Sequence, residues 1–155
     1  MLRILYPFVL IAALLVTGCA ALPQQTPAAT PALPVITNEW SITMNLSGGI
    51  MGLMRSVEVS SNGNYIVADE RTKNKAEGKL SADELNKLSS IIKSATLHTS
   101  NTPGVSACAD CFIYDIEIQS GGENFTVQLD DITLPASGME ELATFLRELI
   151  DSALN

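Results

Sequence analysis

The chain is short of basic residues and above all of histidine. Nine Lys and Arg stand against 17 Asp and Glu, a net charge of −8 over 155 residues. Nucleic-acid binding is excluded, because phosphate backbones need a basic patch that this composition cannot supply. His98 is the sole histidine. A site built from several His ligands is therefore excluded, the His-Glu-x-x-His zinc peptidases among them. The sequence also lacks a Gly-x-Gly-x-x-Gly fingerprint, a Walker loop, and a Ser or Cys nucleophile with a nearby His. The run Ser47-Gly48-Gly49-x-x-Gly52 is not a dinucleotide fingerprint, because it falls between two strands and not before a helix. No enzymatic activity, cofactor or resident metal is expected. The length suits one domain with appendages.

What is present begins with a leader. Residues 1–18 carry Arg3 as their single charge, then an apolar run from Ile4 to Val16, then Thr17-Gly18 before Cys19. A positive start, a short apolar stretch and small residues before a cut describe a secretory signal. The run is short for a membrane span. Its end resembles the bacterial lipobox, which implies cleavage after Gly18 and lipid, palmitate included, on Cys19. Acyl chains stabilise the membrane-bound state by about 0.8 kcal/mol per buried CH₂. Residues 19–38 follow as a Pro/Ala/Thr-rich linker without charge, punctuated by Pro23, Pro27, Pro31 and Pro34. Such a segment is a semi-rigid spacer that reaches roughly 40–60 Å when extended. The expected protein is a lipoprotein of the bacterial cell envelope, lipid-anchored on the extracytoplasmic side through Cys19, with its domain in residues 39–155.

Two cysteines remain, in Cys108-Ala109-Asp110-Cys111. An exported compartment permits disulfides, so pairing of Cys108 with Cys111 is the expectation. A redox-active pair and free thiols stay open. A zinc site does not, for want of a second Cys/His pair. The redox reading wants a helix N-terminus to lower a thiol pKa, and here the motif runs into strand-like Phe112-Ile113-Tyr114-Asp115-Ile116.

The domain reads as α+β. Trp40 to Leu46 alternates apolar and polar residues, as do Leu53 to Val59 and Tyr65 to Ala68, which predicts three strands. Ser61-Asn62-Gly63-Asn64 is a hairpin turn. Asp69 to Lys79, charged and glycine-punctuated, reads as a loop. Ser81-x-x-Glu84 is a capping box that opens a helix with Leu85, Leu88, Ile91, Ile92 and Ala95 on one face, ending near Thr96. A polar loop follows over residues 97–110 and holds His98, expected as an exposed loop residue. Phe112 to Ile118 and Phe125 to Asp130 are two further strands around the turn Ser120-Gly121-Gly122-Glu123. A second capping box, Ser137-x-x-Glu140, is expected to start a closing helix whose stripe is Met139, Leu142, Phe145, Leu146, Leu149 and Ile150. The order β-β-β-α-β-β-α predicts an antiparallel sheet of about five strands with two helices packed on one face, in a domain of about 117 residues that is large enough to fold alone. A monomeric domain is expected. The acidic pairs Asp69-Glu70 and Asp130-Asp131 could bind a divalent cation, but in so acidic a domain they are expected to be solvated.

The pieces resemble a family when taken in order. Ile42 to Val59 contains Ser47, Gly48, Gly49, Gly52 and Arg55 in the pattern Ser-Gly-Gly-x-x-Gly-x-x-Arg. After it come the leucine-bearing helix from Leu80, the strand Tyr114-Asp115-Ile116-Glu117-Ile118, then Phe125-Thr126-Val127, Asp130-Asp131, Leu134-Pro135 and a final leucine-rich helix. This order resembles the emfourins, small protein inhibitors of thermolysin-like zinc metallopeptidases typified by the inhibitor of protealysin. The resemblance spans nearly all of residues 41–153. A leader, a lipid site and a Cys-x-x-Cys depart from the family pattern, and the stretch from Ser60 to Lys79 is longer. The resemblance implies a mechanism without catalytic residues, in which a rigid loop occludes the cleft of a secreted zinc metallopeptidase. The candidate loop is Ser47, Gly48, Gly49, Ile50, Met51 and Gly52, with Arg55 either a contact or an ion-pair partner within the sheet. Its glycines permit close approach and positive φ, and Ile50, Met51 and Leu53 offer apolar anchors. The opposing expectation is that Ile50 and Met51 pack inward and the glycines only shape a wide hairpin. Two other functions compete: a non-inhibitory envelope binding or scaffold lipoprotein on the same fold, and a thiol oxidoreductase using Cys108 and Cys111.

Overall fold

A computed structural model describes residue 33, residues 35–95 and residues 106–155. The leader over 1–18, Cys19, most of the linker and His98 lie outside the described residues.

Among the described residues six strands form one antiparallel sheet. They are β1 (Trp40–Gly48), β2 (Leu53–Ser60), β3 (Asn64–Asp69), β4 (Asn74–Lys79), β5 (Phe112–Ser120) and β6 (Glu123–Asp130). Their spatial order is β4-β3-β2-β1-β5-β6, which puts β1 near the centre. Among the described residues three helices complete the fold: α1 (Ala82–Ser94), the single turn α2 (Leu134–Ser137) and α3 (Glu140–Leu154). Among the described residues no helix is long and apolar enough to cross a membrane.

The alternation read from the sequence decides which face is buried. Ile42 pairs with Val59 and Ile118, and Met44 pairs with Val57 and Ile116, all on one face. These side chains are buried with Leu88, Ile91 and Ile92 of α1 and Leu142, Leu146 and Ile150 of α3 in one core. The other face carries Ser41, Thr43, Asn45, Glu58, Glu117 and Thr126 and is open, as an antiparallel sheet with helices on one side should be.

The structure corrects the expected count twice. Residues 74–79, read as loop, form the edge strand β4. Its helix-facing positions are small, Ala76 and Gly78, and Lys75, Glu77 and Lys79 lie on the other face. Charged residues suit an edge strand because they discourage pairing with another chain. Tyr65, paired with Gly78, supplies the missing bulk; a Cβ on Gly78 would come within 2.3 Å of its hydroxyl oxygen. The second correction concerns the closing helix. The Ser81/Glu84 capping box is present at α1, but Ser137 caps nothing of α3. Its Oγ donates to the Leu134 carbonyl at 2.6 Å and accepts from the Met139 N–H at 3.0 Å, which completes α2. Gly138 then turns left-handed, and α3 starts after Met139 without a side-chain cap.

The two turns expected from glycine form as read. Gly121 and Gly122 both take positive φ, which a two-residue type I′ turn requires. Before β1, Leu33 and Ile36 pack against the core, and the Thr37 N–H donates to Ser120 Oγ at 2.8 Å. The chain thus enters at the end of the sheet that holds Trp40, Ser61–Gly63 and Gly121–Gly122, here called the proximal end. The β1–β2 connection lies at the other, distal end, about 27 Å away along β1.

Candidate functional site

The candidate loop is the tip of the central β1–β2 hairpin. Ser47 and Gly48 close β1, residues 49–52 make the connection, and Gly48 pairs with Leu53. Gly48, Gly49 and Gly52 all have positive φ, and the Gly52 N–H donates to the Gly49 carbonyl at 2.9 Å. Ile50 and Met51 are 88% and 72% exposed, so they do not pack inward. Met54, next to the tip on the open face, is also exposed, as is Ile132 after β6.

Two supports hold this tip from outside its own ladder, and a third steadies β2 behind it. On one flank the Gly49 N–H donates to the Cys111 carbonyl at 3.0 Å, and the Phe112 ring lies against Gly49. On the other flank Arg71 Nη1 donates to the carbonyl of Met51 and, at 3.2 Å, to that of Gly52. Arg71 is placed by Asp69, whose Oδ1 accepts from the N–H groups of Arg71 (2.9 Å) and Thr72 (3.0 Å) and so shapes the β3–β4 turn. The third support is Arg55. Its side chain is on the helix-facing side, where Nε meets Asp69 at 3.1 Å and Nη1 meets Asp151 of α3 at 3.0 Å. Arg55 is thus a clamp between β2, β3 and α3, placed away from the exposed tip.

One member of each acidic pair departs from the solvated acids expected, while Glu70 and Asp131 are exposed. Asp69 and Asp130 are buried. The Thr72 N–H does most to hold the Asp69 carboxyl below the usual carboxylate range, helped by Arg55 and Arg71 and opposed by burial. Burial pushes the Asp130 carboxyl up, but hydrogen bonds from Ser106 and Thr133 outweigh it and hold the group far below that range. Asp130 accepts from the N–H groups of Ser106, Ile132 (3.0 Å) and Thr133 (2.9 Å). Asp131 turns the other way: it accepts from the Phe112 N–H at 2.7 Å and from the Tyr114 hydroxyl at 2.9 Å. The two carboxylates fasten the segment before β5 to the β6–α2 turn. Burial raises the Tyr114 pKa, and the adjacent Asp131 adds to this. Arg147 of α3 lies over the Phe112 ring at 5.0 Å.

The sulfurs of Cys108 and Cys111 stand at disulfide distance, with Cα atoms 5.6 Å apart. Cys111 leads directly into β5, and among the described residues neither thiol stands at a helix N-terminus. Sequence reasoning placed the tip and the cysteine pair but did not join them. It also missed Arg71, Phe112 and Asp131 as supports. The only signal for them was the spacing of Asp69 and Asp131 just beyond strand ends, where a carboxylate can cap backbone N–H groups.

The chain matches no protein-family model and no curated protein.

Proposed function

We propose that the chain is a lipid-anchored inhibitor of thermolysin-like zinc metallopeptidases, acting as the emfourins it resembles do, by laying the β1–β2 tip across the active-site cleft. The observation that carries this reading is an exposed apolar pair, Ile50 and Met51, on a tip whose backbone is held by Cys111 and Arg71. A fixed backbone lowers the ordering cost of binding, which is how a small loop becomes a tight ligand. The position of the tip fits a tether. A chain anchored through Cys19 and entering at the proximal end leaves the distal end, opposite the point of entry, free to meet a secreted enzyme. Arg55 and Asp69 serve this reading as supports, and Ile50 and Met51 as the contacts.

The test is a titration of the full chain against a panel of thermolysin-like enzymes. Inhibition of at least one at micromolar concentration or below is expected, and none across the panel would overturn the reading. A Met51→Asp chain should lose at least about tenfold in potency, the scale of one buried apolar anchor replaced by a charge. Equal potency would remove the tip from the contact.

A further inference from the structure

Cys111 meets the tip directly. Its carbonyl accepts the Gly49 N–H at 3.0 Å, and a Cβ on Gly48 would come within 2.5 Å of the same oxygen. The next residue, Phe112, lies equally close to Gly49. The direction of this carbonyl is set from both sides. After it, the Phe112 N–H is held by Asp131 at 2.7 Å. Before it, the sulfur bond ties Cys111 to Cys108, whose N–H donates to Ser106 Oγ at 3.3 Å, and the Ser106 N–H donates to buried Asp130. Ala109 and Asp110, between the cysteines, are exposed, and both cysteines are half-buried, so a small dithiol can reach the bond. A covalent ring this short removes little freedom from the unfolded chain. What it constrains is local: the segment on which the tip rests.

We infer that the Cys108–Cys111 bond is a thiol-sensitive clasp on the β1–β2 tip. Oxidised, it holds the Cys111 carbonyl against Gly49; reduced, it lets that support move. A dithiol reductant supplies the chemistry. One of its thiolates attacks a cysteine sulfur, forms a mixed disulfide and releases the other cysteine. Its second thiol then closes the reductant's own disulfide and expels the remaining cysteine. The chain gains two electrons and two protons as two thiols, and the dithiol is oxidised to its disulfide. The effect on peptidase binding rests on the inhibitor reading above; the effect on the tip does not.

Amide hydrogen exchange on the full chain tests this, with the oxidised chain compared with the same chain in dithiothreitol and with a Cys108→Ser/Cys111→Ser variant. The Gly49 amide should exchange at least about tenfold faster in both altered states, while Val57 and Ile116 in the central strands keep their protection. Unchanged exchange at Gly49 overturns the clasp. Loss of protection at Val57 and Ile116 as well also overturns it, because the bond would then hold the whole fold and not the tip. Peptidase inhibition measured on the same samples separates the two proposals. Faster Gly49 exchange with weaker inhibition makes the clasp a regulator of binding, and equal inhibition despite faster exchange denies it that role. Faster Gly49 exchange in a chain that inhibits nothing in either state sinks the inhibitor reading and leaves the clasp standing.

Discussion

The two ends of the sheet are built on opposite plans. At the proximal end the loops are short, three residues over Ser61–Gly63 and two over Gly121–Gly122, and Ser61–Gly63 is fastened by single backbone bonds, from the Ser61 N–H to the Trp40 carbonyl and from the Leu80 N–H to the Gly63 carbonyl. At the distal end a four-residue tip, a β3–β4 turn, a cysteine ring and the β6–α2 turn are tied together by Asp69, Arg71, Asp130 and Asp131. The distal end also holds Ile50, Met51, Met54 and Ile132, four of the six large exposed apolar side chains among the described residues; Val35 lies in the entering segment and Ile66 on the open face. Exposed apolar side chains on a rigid frame do nothing for folding, whereas a binding surface needs both. On the inhibitor reading proposed above, the difference between the ends is that between closing a sheet and presenting one.

The strongest way to break this comparison is to remove the centre of the distal frame. Asp130→Ala would leave the partly buried N–H groups of Ser106, Ile132 and Thr133 without this acceptor and should cost about 3 kcal/mol, read as a lower urea midpoint. A cost near zero would mean that the distal loops are held by packing alone. The same carboxylate makes stability depend on acid. Its folded pKa lies below its unfolded one, so its contribution is complete above the ordinary carboxylate value of about 4 and is lost as pH falls below that value. Asp69, shifted in the same direction, adds to this loss. Urea midpoints measured from neutral pH down into this range should fall, and should fall less in Asp130→Asn.

The next test makes one substitution at each end. Gly48→Ala and Gly122→Ala both place a side chain at positive φ, with φ of 91° and 83°. At Gly122 nothing lies within 4 Å of the new Cβ, so only backbone strain remains, about 1 kcal/mol. At Gly48 the new Cβ would sit 2.5 Å from the Cys111 carbonyl oxygen, and the cost should rise to about 2 kcal/mol or more as the ring is pushed off the tip. Equal costs at the two sites would show that the tip does not bear on the ring.

The proximal end was largely legible in the sequence, because its devices are local. Asn62-Gly63 and Gly121-Gly122 specify their turns within a few residues, and Ser81 with Glu84 specifies the start of α1. The distal frame was not legible, because its partners are far apart in the chain: Arg71 with Met51, Asp130 with Ser106, Asp151 with Arg55. Strand β4 escaped for a related reason. Its inward residues are small because Tyr65, on another strand, fills the space, so no apolar alternation marks it. Ser137 misled because its hydroxyl is used within α2, one residue before a left-handed glycine that the capping-box pattern does not reveal.

The smallest stability effect carries the sharpest meaning. Met51 is largely exposed, and only its backbone carbonyl is engaged, by Arg71. Met51→Asp removes little buried surface and no side-chain hydrogen bond, so its stability should match that of the unaltered chain within about 0.5 kcal/mol, read from the urea midpoint. If the tip is there to be presented, this variant is neutral for the fold and costly for inhibition, the reverse of Gly122→Ala, which is costly for the fold and neutral for inhibition. Paired measurements of unfolding and of peptidase inhibition on the two variants therefore cross if the ends have separate duties. A Met51→Asp chain that loses stability would instead place Met51 among the supports, and the distal end would then differ from the proximal one in size and not in purpose.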